Sequence, residues 1–284
     1  MAKYVPDIKT QRWVIISQTR VSRPHTQLKT QTKASVCPFC YNCEKMTPPE
    51  VHRLGGGEKD HPGWLVRVVP NKFPITDVHE VIIHSPDHKH DLEDLDGEQV
   101  KHVFTVYRDR YITHEKDGHV LIFCNHGLHA GASLMHPHSQ LVVVPRQINL
   151  DSLSREPVNN IISDSADFIT YCPDFSQWPY EVWLSPKNGS GKFSAISDDD
   201  LTSMARIFQR SLKQIKSVLT DPNQPFKQAN EPFVYNYYIY HGENWFLRII
   251  PRAVHRAGFE LGTGLNVNVV DPANAAETLK STSV

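Results

Sequence analysis

The chain has 284 residues, 39% of them hydrophobic and 21% charged, with a formal net charge of -1. That length is enough to bury a core as one large domain or two packed lobes, and the balanced charge argues against a broad basic surface for nucleic acid or anionic lipid. Met1 to Asp7 lacks the apolar stretch of a signal peptide and no apolar run is long enough to span a bilayer, so the expectation is a cytoplasmic protein that binds neither nucleic acid nor membrane.

Arg12 to Ser17 reads as a short strand, followed by a loop with Arg20 and Arg23. Two arginines three apart fit either a phosphate clamp or solvated surface charge. Cys37-Pro38-Phe39-Cys40-Tyr41-Asn42-Cys43 holds three of the 5 cysteines. Two thiolates separated by two residues form half of a tetrahedral zinc site, in keeping with a reducing compartment. The other half must come from elsewhere; His88 and His136 are candidates, and Cys43 is a third possible thiolate.

From residue 64 a pattern occurs twice. Glu80 to His88 is a strand ending at a Ser-Pro turn, and Val100, Val103, Phe104, Tyr107 and Tyr111 recur at helical spacing. Strand-like runs follow at 120–123 and 141–144. In the second occurrence Glu181 to Asn188 repeats the strand and Ser-Pro turn. Ser197 is the expected N-cap of a helix whose apolar face is Leu201, Met204, Phe208, Leu212, Ile215 and Leu219. Runs at 233–240 and 246–250 close it. Strand, helix, strand, strand, repeated once, predicts an α+β fold with a largely antiparallel sheet, divided into halves at 1–150 and 165–284.

The chemistry concentrates in the first half. Of the 16 histidines, all but His241 and His255 lie at or before His138. His136-Pro137-His138-Ser139-Gln140 leads into Leu141-Val142-Val143-Val144, a strand stopped by Pro145. Alternation predicts His136, His138 and Gln140 on one face. Imidazole there can be nucleophile, proton carrier or metal ligand. The preceding Asn125 to Ser133 is small and glycine-rich; its backbone N–H groups, Gly131 among them, and the Ser133 hydroxyl read as a phosphate cradle. A second glycine-rich run, Ala257 to Gly264, is read as a turn or a place where a ligand approaches backbone. In the second half His88 is matched by Asn188, and the HxHxQ strand has no histidine counterpart, so one half reads as reactive and the other as scaffold.

Taken in order, Arg20 to Pro24, Cys37-Pro38-Phe39-Cys40 with Thr47-Pro48-Pro49-Glu50, Asn71-Lys72-Phe73-Pro74, Ser85-Pro86-Asp87-His88, Asn125 to Gln140 and Ala257 to Gly264 resemble the galactose-1-phosphate uridylyltransferase family of the histidine-triad superfamily. The resemblance covers most of the chain. It implies a duplicated histidine-triad-like fold and ping-pong nucleotidyl transfer, with UDP-glucose:hexose-1-phosphate uridylyl transfer as the leading activity. His138 matches the nucleophile, and Gln140 and Ser133 match groups that stabilise the transferred phosphoryl. Arg20, Arg23, Asn71 and Asn125 match the nucleotide and phosphate pocket. Glu260 matches a carboxylate that reaches the sugar from the second subunit of a homodimer. Cys37, Cys40, His88 and His136 match the ligands of one structural Zn2+, which by holding His136 would fix the strand that presents His138. Two departures matter. Asn188, Asn244 and Phe246 stand where some members carry a second metal site, so that site is expected to be absent. Ser139 stands where typical uridylyltransferases have glycine; serine is familiar in relatives that act on other nucleotides or use inorganic phosphate. The enzyme alternative is therefore an ADP-sugar phosphorylase of the same fold. The non-enzyme alternative is a silent zinc-containing nucleotide-binding protein, against which an intact His138 and Gln140 argue.

Overall fold

A computed structural model describes residues 2–7, 12–18, 20, 36–187, 191–223 and 233–284. The chain divides into two compact units, Met1–Cys124 with Ser133–Ser152, and Asn125–Ala132 with Leu153–Val284. The loop 125–132, which lies within the first half of the sequence, thus groups with the second unit.

In the first unit a short antiparallel ribbon pairs β1 (Lys3–Pro6) with β2 (Trp13–Ile16). The main strands are β3 (His52–Gly55), β4 (Trp64–Pro70), β5 (Val78–Ile83), β6 (His119–His126) and β7 (His138–Val144), in the spatial order β3-β4-β5-β7-β6 with every pairing antiparallel. β7 lies between β5 and β6 and is buried along its whole length. A central strand has no face to offer water, which explains the run of four apolar residues in place of alternation. Helix α1 (Gly97–His114) buries Val100, Val103, Phe104, Tyr107 and Tyr111, the predicted stripe, and packs against β4 and β3. Gln99 pins its first turn by donating to the carbonyls of Leu65 and His84 at 2.9 and 2.7 Å.

The second unit repeats the plan. Its strands β8 (Ile161–Asp164), β9 (Phe168–Tyr171), β10 (Val182–Pro186), β11 (Tyr235–Ile239) and β12 (Leu247–Pro251) take the order β8-β9-β10-β12-β11, again antiparallel. The last strand of each unit lies inside the preceding one, the same permutation twice. This is the duplicated α+β architecture that the pattern predicts. Helix α2 (Asp198–Thr220) begins at Ser197, whose hydroxyl accepts from the Asp200 N–H at 3.0 Å. Leu201, Met204, Phe208, Leu212 and Ile215 are buried and Leu219 is half-buried. Two short elements close the chain. Ala257 to Gly264, read as a turn or a place where a ligand approaches backbone, holds helix α3 (Gly258–Thr263) in place of a turn, stopped by Gly264 at φ 75°. Helix α4 (Pro272–Ser281) is capped by Asp271.

Candidate functional site

The Cys37–Cys43 segment folds as two successive turns, with the Cys40 N–H donating to Cys37 O at 3.2 Å and the Cys43 N–H to Cys40 O at 3.0 Å. Asn42 takes a left-handed φ of 68° between them. Phe39 is buried against Trp64, Val69, Val81 and Ile83, which fastens the turn to the β4–β5 face. Burial of a side chain of this size contributes about 1.5–3 kcal/mol. Both thiols are thereby set beside the start of β7.

Four donors converge there. The ligand atoms of Cys37, Cys40, His88 and His136 all lie within 4.8 Å of one another. Cys40 Sγ is 3.2 Å from His88 Nδ1 and 3.7 Å from His136 Nδ1. A tetrahedral ion with zinc-like bond lengths spaces such donors roughly 3.3–3.8 Å apart, so the cluster fits one. His136 is fully buried, and its Nε2 donates to the Ser85 carbonyl at 2.9 Å, leaving Nδ1 as the lone-pair nitrogen. A bond of this kind from the other ring nitrogen is how metal-binding histidines are oriented. Burial holds the His136 imidazole down at about 4, keeping it neutral as a ligand must be, with His88 and His138 nearby acting in the same direction. Burial and the adjacent Cys37 push the Cys40 thiol up to about 11. A thiol that resists ionisation becomes a thiolate readily only beside a cation. Cys43 is not in the group; it precedes the short helical turn Glu44–Met46.

His136 lies two residues before β7, while His138 begins it. The buried His138 ring contacts Phe39 edge-on at 5.3 Å. Its Nδ1 is 2.8 Å from the His136 carbonyl oxygen. A carbonyl only accepts, so the proton is on Nδ1 and the lone pair is on Nε2. The peptide group between His136 and His138 thus sets the His138 tautomer.

Gln140 follows on the same face. Its Oε1 lies 2.9 Å from His79 Nε2. The Ile75 N–H donates to His79 Nδ1 at 2.9 Å, so the His79 proton is on Nε2 and points at Gln140. With its oxygen engaged, the amide turns its NH2 the other way. Asn71 Nδ2 lies 3.1 Å from the same His79 nitrogen, and Asn71 Oδ1 accepts from the Phe73 N–H at 2.8 Å. Arg20 donates to Phe73 O at 3.0 Å, and Ser17 to Pro74 O at 2.7 Å. Arg20, Asn71 and Gln140 therefore belong to one chain of contacts centred on His79. Sequence reasoning missed His79. The apolar run marks the strand only from Glu80, one residue later, and a histidine just outside a strand carries no signal of its own.

Ser133 is half-buried, five residues before His138. Arg23 lies outside the described residues. Asn125, Gly131 and Glu260 belong to the second unit. There Asn236 donates to Asn125 Oδ1 and to Ala130 O, both at 2.9 Å, which ties the two ends of the glycine-rich loop together. Gly127 and Gly131 have φ of 83° and 90°, values that favour glycine. Glu260 accepts from the Ala257 N–H at 3.0 Å, and this backbone bond, with the Arg256 charge adding to it, holds its carboxyl below the usual range. Phe246 stacks between Trp183 (4.0 Å) and Tyr240 (4.9 Å), so aromatic rings fill its surroundings. Asn244 has φ 57°, and Asn188 lies outside the described residues.

Residues 76–144 match the family profile described as "Galactose-1-phosphate uridyl transferase, N-terminal domain". The chain is 28% identical to an ADP-glucose phosphorylase of Arabidopsis thaliana, over 98% of this chain and 92% of that one. It is 25% identical to a galactose-1-phosphate uridylyltransferase of Thermotoga maritima, over 97% and 96% of the two chains. A crystal structure of the Arabidopsis thaliana ADP-glucose phosphorylase with bound ADP-glucose superposes with a TM-score of 0.74 at 25% identity, covering 100% of both chains. With its twice-used strand permutation, its Cys/His cluster and His138 at the head of β7, the chain is similar over nearly its whole length to galactose-1-phosphate uridylyltransferases and to an ADP-glucose phosphorylase.

Proposed function

We propose that the protein is a nucleotidyltransferase acting on nucleoside-diphosphate sugars through a covalent intermediate on His138. The observation that carries this is the His138 tautomer, with Nδ1–H donated to His136 O at 2.8 Å and the lone pair on Nε2. Nε2 attacks the α-phosphorus and the bond from phosphorus to the bridging oxygen breaks. Sugar 1-phosphate leaves with that electron pair. In the return step an oxygen of a phosphate acceptor attacks the same phosphorus and the P–N bond breaks, restoring the imidazole. The Gln140 NH2, turned outward by His79, and Ser133 donate to the phosphoryl oxygens as charge builds on them. Arg20, Arg23, Asn71, Asn125 and Gly131 hold the nucleotide and its phosphates.

Zinc is the metal that suits two thiolates and two imidazoles, and its role here is structural: through His136 it fixes the peptide that sets the His138 tautomer. The segment around α3 exposes Phe259, Leu261, Leu265, Val267 and Val269. An apolar run of this kind supports a homodimer in which Glu260 reaches the partner's sugar site. Among the described residues no helix is long and apolar enough to cross a membrane, and none of the five cysteines is paired in a disulfide. Both support a cytoplasmic enzyme.

Two donor–acceptor pairs fit this chemistry. Uridylyl transfer from UDP-glucose to a hexose 1-phosphate is favoured by the Thermotoga relative, a galactose-1-phosphate uridylyltransferase. Adenylyl transfer from an ADP-sugar to inorganic phosphate is favoured by the Arabidopsis relative and by Ser139. Intact-protein mass measurement after mixing with UDP-glucose or ADP-glucose, with no acceptor present, tests both. A UMP-sized or AMP-sized adduct mapped to His138 supports the mechanism and names the base. An active enzyme whose His138→Gly variant still turned over would refute it.

A further inference from the structure

A buried arginine of the first unit has no part in the transfer steps above. Arg67 stands in the middle of β4 and is 1% exposed. All three of its side-chain nitrogens donate. Nε reaches Glu50 Oε2 at 2.6 Å and Nη1 reaches Thr47 Oγ1 at 2.8 Å. Nη2 reaches Asp60 Oδ1 at 2.7 Å and the Glu44 carbonyl at 3.4 Å. The Thr47 hydroxyl in turn donates to Glu44 O at 2.8 Å. Glu50 and Asp60 have further partners: Arg53 Nε donates to Glu50 Oε1 at 2.6 Å, and the Glu50 N–H donates to Asp60 Oδ1 at 2.8 Å. The buried Glu44 carboxylate turns back toward the cysteines, accepting from Trp64 Nε1 at 2.8 Å and from the Asn42 N–H at 3.3 Å.

The position of this guanidinium says what it does. Three of its four bonds end on residues 44–50, which directly follow the Cys37–Cys43 turn. Among the described residues 36–51 there is no strand, and the only helical piece is the three-residue turn Glu44–Met46. Pairing to the sheet begins at Val51, whose N–H donates to Val68 O at 2.9 Å. Side chains must therefore fix the segment before it. Register places Arg67 opposite Ile83 and Ile83 opposite His138, one row across β4, β5 and β7 on a single face of the sheet. Neighbouring strands are about 4.8 Å apart, so Arg67 stands roughly 10 Å from the strand of the nucleophile. Phe39 joins Ile83 in one apolar cluster and meets the His138 ring at 5.3 Å, and Cys37 packs against the same cluster. The segment is thus fastened to one row of the sheet at two points, by Phe39 between the two cysteines and by Arg67 just beyond them.

We propose that Arg67 is a positioning residue for the cysteine turn: by holding residues 44–50 from β4 it keeps the Cys37 and Cys40 thiols preorganised for a divalent cation at the head of β7. It touches neither the cation nor a substrate. The proposal rests on reading Cys37, Cys40, His88 and His136 as a metal site. The charges show where loss of Arg67 would fall. Without it Glu50 keeps Arg53, and Asp60 keeps the Glu50 N–H. No carboxylate is stranded; the links to Thr47 Oγ1 and Glu44 O, which hold the segment, are the ones that go. Lysine at this position keeps the charge but, lacking the planar fork, cannot span Glu50, Thr47 and Glu44 together.

The test has two readouts on the whole chain: zinc affinity by competition with a chromogenic chelator, and amide hydrogen exchange of the metal-free protein. The variants are Arg67→Met and Arg67→Lys. Arg248→Met, which removes a buried, carboxylate-paired arginine of the second unit, is the control for lost stability alone. Thermal melts establish that each variant is folded. Arg67→Met is expected to weaken zinc by about 10- to 100-fold, the usual cost of losing a group that orients metal ligands. Arg67→Lys should fall between it and wild type. Arg248→Met should stay within about twofold of wild type even where its melting temperature falls as far. In the metal-free protein the Cys40 and Cys43 N–H groups, which donate to Cys37 O and Cys40 O, should exchange about tenfold faster or more in Arg67→Met, with β5 and β7 amides unchanged. Unchanged zinc affinity in Arg67→Met, an equal loss in Arg248→Met, or exchange that quickens as much in β5 and β7 as in the turn would overturn the proposal. Should wild type bind no zinc, the metal reading fails by itself, and the exchange measurement still decides whether Arg67 holds the turn. Should Arg67→Met fail to fold, Thr47→Val removes one of the same bonds from the other side and is judged by the same two readouts.

Discussion

His79 is expected to govern the rate of nucleotidyl transfer without touching substrate, through the amide of Gln140. It is buried, its Nδ1 takes the Ile75 N–H at 2.9 Å, and its Nε2–H holds Gln140 Oε1 at 2.9 Å. The two functions separate by substitution. Asn at this position can keep an oxygen near the place of Nδ1 for the Ile75 N–H, but it loses the donor to Gln140. Gln places its NH2 near the place of Nε2 and keeps that donor. A neutral hydrogen bond of this kind is worth about 0.5–1.5 kcal/mol, so it biases the Gln140 amide toward the NH2-out orientation by roughly 2- to 13-fold. Without it the two orientations approach equal weight and about half of the molecules present an oxygen to the phosphoryl group. The floor for His79→Asn is therefore a loss of about 1.3- to 1.9-fold. The ceiling is set by removing the donor altogether, as in Gln140→Ala, which by analogy with oxyanion donors costs about 100- to 1,000-fold. The assay is the single-turnover rate of adduct formation on His138 at saturating donor, alongside thermal melts. His79→Asn should lie between those limits and His79→Gln should recover most of the rate. If His79→Asn matched wild type while Gln140→Ala remained impaired, the orienting role would be refuted. A loss in His79→Asn greater than in Gln140→Ala would show that His79 does more than orient.

Three further outcomes follow from the packing. Cys40→Ser should abolish stoichiometric zinc, measured by elemental analysis, and lower the melting temperature, because metal binding to this cluster is coupled to folding; full zinc occupancy in the variant would count against the four-donor site. In the second unit Glu181 is fully buried and accepts from Arg248 at 2.7 and 2.9 Å and from Trp183 at 2.7 Å. Glu181→Ala strands that guanidinium and is expected to cost about 3–5 kcal/mol in urea unfolding, whereas a loss under about 1 kcal/mol would mean water reaches the site. Buried Glu80 is pushed up by burial, yet hydrogen bonds and charge from His114 and Arg110 hold its carboxyl below the usual range, while the same Glu80 bond raises His114. The stability due to Glu80 is present above the unfolded carboxylate value of about 4.3 and is lost as pH falls through its depressed folded value. The stability due to His114 is present below about 6.5 and is lost as pH rises through its raised folded value. His114→Gln should therefore flatten the alkaline side of the stability profile and weaken the acid side only in part, because Arg110 still holds Glu80, measured by urea midpoints across the pH range; an unchanged alkaline limb would refute the coupling.

Much of this protein can be read from residues that act locally. Helix α2 announces itself by a serine cap and a 3.6-residue stripe, and the folded chain uses both, because capping and amphipathic burial depend on neighbours within a turn or two. The repeated strand–helix–strand–strand pattern was legible for the same reason. The Cys-x-x-Cys turn and the HxHxQ strand could also be picked out as candidate sites from local spacing. Ala257 to Gly264, read as a turn or a place where a ligand approaches backbone, holds a short helix, because glycine counts mark flexibility but not the bond from the Ala257 N–H to the Glu260 carboxylate that caps one.

What only the tertiary structure decided is which distant residues share a site. His88 and His136 complete the cysteine pair, and Cys43 does not, because the Phe39 anchor and the β5–β7 pairing bring those atoms within 4.8 Å of one another. His79 meets Gln140 across sixty-one positions, and Arg252 meets Trp178 across the second unit, through strand register and side-chain stacking. Register is set by how all the apolar faces pack at once, a property of the whole sheet. No window of sequence around His79 or Arg252 contains it.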